Sequence, residues 1–132
     1  MWKSILYVIA FYNFVLALYM WFAPMAWYEA TPGVAAMGPF NLHFIRDVAL
    51  AYLVSALAII WGLKKWDKTA AVFGALWPCL HALFHIWIWG ARGFPFDQVF
   101  AVNVFGIQLP AWLAMGAAFM IFNTSQQRGA GG

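Results

Sequence analysis

Apolar residues run almost unbroken along four stretches of this chain, roughly Ser4–Phe22, Asn41–Leu63, Thr69–Trp89 and Ala101–Phe122. None alternates with the period of two that marks half-buried strands and barrel walls. Each approaches or exceeds the ~20 helical residues that cross the hydrocarbon core of a bilayer. The pattern predicts an all-α fold, an integral membrane four-helix bundle spanning residues 1–122. Lys64–Lys68 leaves room only for a turn, so the second and third helices must form an antiparallel hairpin. The connections Ala23–Phe40 and Gly90–Phe100 are longer and rich in Pro, Gly, Trp, Tyr and Phe. Trp and Tyr favour the headgroup region, so these segments are expected to cap one end of the bundle. The tail, Asn123–Gly132, is polar and Gly-rich and reads as disordered.

The first segment reads as a membrane helix and not as a signal peptide. Ser4–Phe22 is longer than an h-region, and no small-x-small cleavage site follows it closely. Composition supports the membrane reading: 66% of the 132 residues are hydrophobic, 8% are charged, and mean hydropathy is +0.79. A soluble domain of this size has too much surface for its volume to hide so many apolar side chains. The basic residues then orient the spans. Lys3, Lys64, Lys65, Lys68 and Arg128 lie on one side, while the other connections hold Glu29, Arg92 and Asp97. The positive-inside rule puts both termini in the cytoplasm and the longer connections outside a bacterial-type cytoplasmic (inner) membrane. The net charge of +3 is accounted for by topology and gives no reason to expect nucleic acid. A single cysteine, Cys79, excludes an internal disulfide and any CxxC redox or metal motif.

Gly74 precedes Pro78, and Gly106 precedes Pro110, by four residues. A helical proline clashes with the carbonyl four positions back and frees it, so helices three and four are expected to kink there.

The candidate chemistry lies in two pairs. His43 and Asp47 are four residues apart on helix two; His81 and His85 are four apart on helix three. Such spacing puts both members of a pair on one face, about 6 Å apart along the axis. Antiparallel packing brings His43 level with His85 and Asp47 level with His81, so the four groups are expected to converge in the outer half of the bundle. Three imidazoles and a carboxylate make a complete shell for a transition metal such as Zn, Fe or Cu. Haem b is the alternative, with His43 opposite His81 or His85 as axial ligands. A proton or ligand site without metal, or polar glue between helices, also fits these residues. Arg46 would pair with Asp47, reach the headgroups or bind an anionic ligand. Glu29, Asn41, Asn103 and Gln108 would be secondary contacts.

Asn41-Leu-His43-Phe-Ile-Arg46-Asp47 with Ala51-Tyr52, followed by His81-Ala-Leu-Phe-His85, resembles small four-helix bacterial membrane proteins of the DoxX-like kind. The likeness covers helices two and three, and it implies a role near the quinone pool. The expected function is therefore an intramembrane metal or haem site near the outer leaflet, open to an amphipathic substrate such as a quinol or lipid. The alternative is an accessory or assembly subunit of a larger membrane complex, or a homo-oligomer, with no catalysis of its own.

Overall fold

A computed structural model describes the backbone of residues 1–129 and the side chains of residues 1–122; no strand occurs among the described residues. Helix α1 (Trp2–Phe22) leads into a short α2 (Pro24–Ala30) and a 3-10 turn (Ala35–Met37). Helices α3 (Leu42–Lys65) and α4 (Lys68–Ala91) follow, and α5 (Gln98–Val102) passes through a π-helical segment (Asn103–Gln108) into α6 (Leu109–Gly129). The last three residues of the expected tail lie outside the described residues, while 123–129 continue α6. Four stretches, Trp2–Phe22, Leu42–Lys65, Lys68–Ala91 and Gln98–Phe122, are long and apolar enough to cross a membrane. They close a ring in which α1 packs on α3, α3 on α4, α4 on α6, and α6 on α1.

Local chemistry sets the helix ends. Pro24 has no N–H to leave unpaired and opens α2 directly after α1. Asn41 caps α3, its Oδ1 accepting from the Phe44 N–H at 3.1 Å. Trp66 closes α3 in the left-handed region (φ 56°), and the Asp67 N–H returns to the Gly62 carbonyl at 2.8 Å. Asp67 then caps α4 by accepting from the Ala70 N–H at 3.1 Å. The hairpin turn is thus two caps placed back to back.

Small residues fill the interior. Ala10, Ala71, Ala75, Ala114, Ala117 and Ala118 pack with Leu6, Ile9, Ile59 and Leu63 in the half near the α3–α4 turn. A Cβ at Gly62 would lie 2.6 Å from the Ala71 nitrogen, and one at Gly74 would lie 2.8 Å from the Ile59 nitrogen. These glycines let the α3 and α4 backbones approach closely. The larger apolar side chains point the other way: Phe11, Val54, Phe73, Trp87 and Phe105 are all at least 65% exposed. Close contact between small residues with a bulky apolar exterior is how helices associate in lipid, where burial from water supplies no drive.

Both prolines leave a carbonyl that another helix satisfies. Pro78 sits inside α4, and the Gly74 carbonyl accepts from Ser55 Oγ at 2.5 Å. Ser55 Oγ in turn accepts from Asn13 Nδ2 at 3.1 Å, joining α1, α3 and α4. Pro110 follows the π-helical segment, and the Gly106 carbonyl accepts from the Tyr12 hydroxyl of α1 at 2.9 Å. Beside these bonds lies a void of about 10 Å³ lined by Tyr12, Asn13, Tyr52, Pro78, Gly106 and Pro110, room for one water at most.

Candidate ligand site

The expected four-residue convergence does not form. No group of three or more His, Cys, Asp or Glu among the described residues could hold a metal ion. The transition-metal shell of His43, Asp47, His81 and His85 is therefore corrected, together with the haem b alternative that relied on the same convergence. The cause is the rotation of α3. This helix buries Ile45, Ala49, Tyr52, Ala56, Ile59 and Leu63. His43 and Asp47 are each two residues from Ile45, about 200° around the helix, and so face away from the bundle interior. Their side chains are 86% and 60% exposed. They bond to each other, His43 Nδ1 to Asp47 Oδ2 at 2.7 Å. Arg46 does not pair with Asp47; its guanidinium lies 5.2 Å above the Trp21 ring of α1. Trp21, Leu42, His43, Arg46, Asp47 and Leu50 line an open groove of about 450 Å³.

The second pair sits differently. Helix α4 buries Ala71, Ala75, Pro78 and Ala82, and His81 and His85 occupy the flank of that stripe, half-buried. Along the axis they lie about 15 Å and 9 Å from Ala91, inside a membrane-spanning helix. Their rings meet edge to face at 4.5 Å. Trp77 stacks flat on His81 (5.0 Å, 10°), Tyr52 of α3 meets it edge-on at 6.2 Å, and Phe84 meets His85 edge-on at 6.2 Å. The described hydrogen bonds and ion pairs include none from either imidazole. Each neutral imidazole offers one donor and one acceptor. Left unmet in hydrocarbon, such groups are costly.

Asn103 and Gln108, read from the sequence as secondary contacts, hold backbone. Gln108 Nε2 donates to the Ala82 carbonyl at 2.7 Å and to Asn103 Oδ1 at 3.0 Å, and Asn103 Nδ2 donates to the His85 carbonyl at 3.4 Å. They join the start of the α6 span to the histidine-bearing part of α4 and so fix where the imidazole pair stands. Cys79 is packing, its thiol donating to the Ala111 carbonyl at 3.3 Å. Asn41 caps α3, and Glu29 is exposed on α2. Tyr52 and Trp77 were missed as site residues. The available signal was the i, i+4 spacing of Trp77, His81 and His85.

The connection beyond α4 is ordered by one tryptophan. Trp89 Nε1 donates to the Pro95 carbonyl at 2.9 Å, and its ring meets Phe94, Phe96 and Phe100 at 5.0, 5.7 and 4.9 Å. Asp97 accepts from Arg92 at 2.5 Å through Oδ2 and from the Phe100 N–H at 2.9 Å through Oδ1. The Arg92 bond, then the Phe100 bond, hold the Asp97 carboxyl below the usual carboxylate range.

Comparison with known proteins adds no relative: no protein-family model, curated protein or solved structure matches the chain significantly. The chemistry therefore rests on the site itself. Two imidazoles one turn apart, with no hydrogen bond among the described residues and walled by indole, phenol and phenyl rings, can exchange hydrogen bonds with a flat ligand that carries ring hydroxyl or carbonyl groups.

Proposed function

We propose that this protein binds a ring-bearing amphiphile of the quinol class at His81 and His85, taking it from the bilayer. The membrane is a bacterial-type cytoplasmic membrane with both termini inside, which sets the site in the outer leaflet. The observation that carries the reading is the half-buried imidazole pair, 4.5 Å apart, stacked on Trp77 and edged by Tyr52 and Phe84. A quinol hydroxyl donates to the bare nitrogen of one imidazole and accepts from the N–H of the other, while the aromatic wall holds the ring. The DoxX-like resemblance of α3 and α4 points to the same ligand pool. Ligand chemistry of this kind suits a small subunit that presents or stores quinol beside an enzyme that turns it over.

The test is calorimetric titration of a short-chain quinol into nanodisc-embedded protein. Losing a hydrogen bond worth about 1–1.5 kcal/mol weakens binding roughly five- to tenfold. His81→Phe and His85→Phe should each show that loss, while His43→Phe should leave affinity unchanged. Equal affinity in wild type and both α4 variants would sink the reading.

A further inference from the structure

The groove at the end of α1 and the start of α3 has chemistry that the imidazole pair does not use. Trp21 lies one residue before the end of α1, and Arg46 and Asp47 lie in the first turns of α3. All three therefore sit where the helices meet the lipid headgroups at the end of the bundle carrying the longer connections. The groove is lined by Trp21, Leu42, His43, Arg46, Asp47 and Leu50. Its two charges are separate. The Arg46 guanidinium rests on the Trp21 ring and forms no carboxylate pair among the described residues. Asp47 Oδ2 is taken by His43, while Oδ1 appears in no described bond.

We propose that this groove binds a phospholipid with a primary-ammonium headgroup. Arg46 holds the phosphate through its planar set of N–H donors, which match phosphate oxygens as a lysine would not. Asp47 Oδ1 accepts from the ammonium, and His43 keeps that carboxylate oriented. Below the charges, Leu50, Val54 and Leu57 continue the same α3 face, each 44–65% exposed, and provide a track for an acyl chain. The arrangement discriminates. A choline headgroup has the phosphate and positive charge but no N–H for the carboxylate. An anionic glycerol headgroup brings no cation, leaving Asp47 beside added negative charge at the edge of a low-dielectric phase. The occupant therefore needs both a phosphate and a protonated amine.

Protein reconstituted in nanodiscs of mixed phosphatidylethanolamine, phosphatidylcholine and phosphatidylglycerol of matched tails, then released for native mass spectrometry, reads retained lipid directly. Wild type should retain the ethanolamine lipid several-fold over the choline lipid. Asp47→Asn should abolish that preference, Asp47→Glu should restore part of it, and Arg46→Gln should lower retention of both lipids. These side chains face away from the core, so an unchanged circular dichroism spectrum is expected for every variant. Equal retention of ethanolamine and choline lipids by wild type, a preference for the glycerol lipid, or a preference that survives Asp47→Asn would each overturn the proposal. So would a photocrosslinker at position 50 that captures a protein helix in native membranes in place of lipid.

Discussion

At Ser55 one hydroxyl meets two needs. It donates to the Gly74 carbonyl that Pro78 releases from its helix, and it accepts from Asn13. Both groups are buried in apolar surroundings, with Asn13 and Ser55 each 2% exposed. Removing the hydroxyl strands a carbonyl and an amide together. Ser55→Ala should therefore lower stability by about 1–2 kcal/mol, within the range for hydrogen bonds between membrane helices and for newly orphaned buried groups. An SDS-unfolding titration measures this, and an unshifted midpoint would contradict the assignment. The sequence made half of this bond legible. Gly-x3-Pro spacing identifies the freed carbonyls at residues 74 and 106, because the clash is local backbone geometry. Their donors, Ser55 and Tyr12, lie 19 and 94 positions away. Nothing local names them. The same limit applies to His43 and Asp47: spacing shows that they share a face, and only the partner helices decide which way it turns.

Among the elements, span positions were readable and rotations were not. The stretches read from hydropathy, such as Asn41–Leu63 and Thr69–Trp89, fall within a few residues of α3 (Leu42–Lys65) and α4 (Lys68–Ala91), because burial in lipid depends on length and apolarity alone. Rotation depends on where backbones can approach, and here that is set by Gly62 against Ala71 and Gly74 against Ile59. Once those contacts form, Ile45 and Ala49 turn inward and His43 and Asp47 turn outward. The orientation of the polar residues thus follows from the packing of the small ones. The connection from α4 to α5 is an element with its own electrostatics. Folding lowers the pKa of Asp97 through Arg92 and the Phe100 N–H, so its contribution is present above the unfolded carboxylate pKa. It is lost as pH falls through the lower folded value. Protection of the Phe100 amide in hydrogen exchange should hold across neutral and mildly acidic pH, and fall only below the ordinary carboxylate range. Asp97→Asn keeps an N-capping oxygen but should remove that acid transition. A loss of protection centred near neutral pH would refute this account.

Among the described residues, the ring of four spans places the start of α1, the far end of α6 and the α3–α4 turn at one end and both longer connections at the other. The distribution of lysines predicts which end faces the cytoplasm. Cysteines introduced at Ser4 and Thr69 in a Cys79→Ala background should resist a membrane-impermeant maleimide in intact cells, while one at Met37 should react. The reverse pattern would invert the topology and move the imidazole pair to the inner leaflet. The proline-freed carbonyls bear on biogenesis as well. Alone in hydrocarbon, α4 exposes a bare carbonyl at Gly74 until Ser55 covers it, and α3 is already made when α4 leaves the ribosome. The Gly106 carbonyl before α6 has the same need, and its donor, Tyr12, is in α1, which is made before it. That carbonyl is therefore covered only when α6 comes back against α1, so closing the ring of helices and satisfying the backbone are one event.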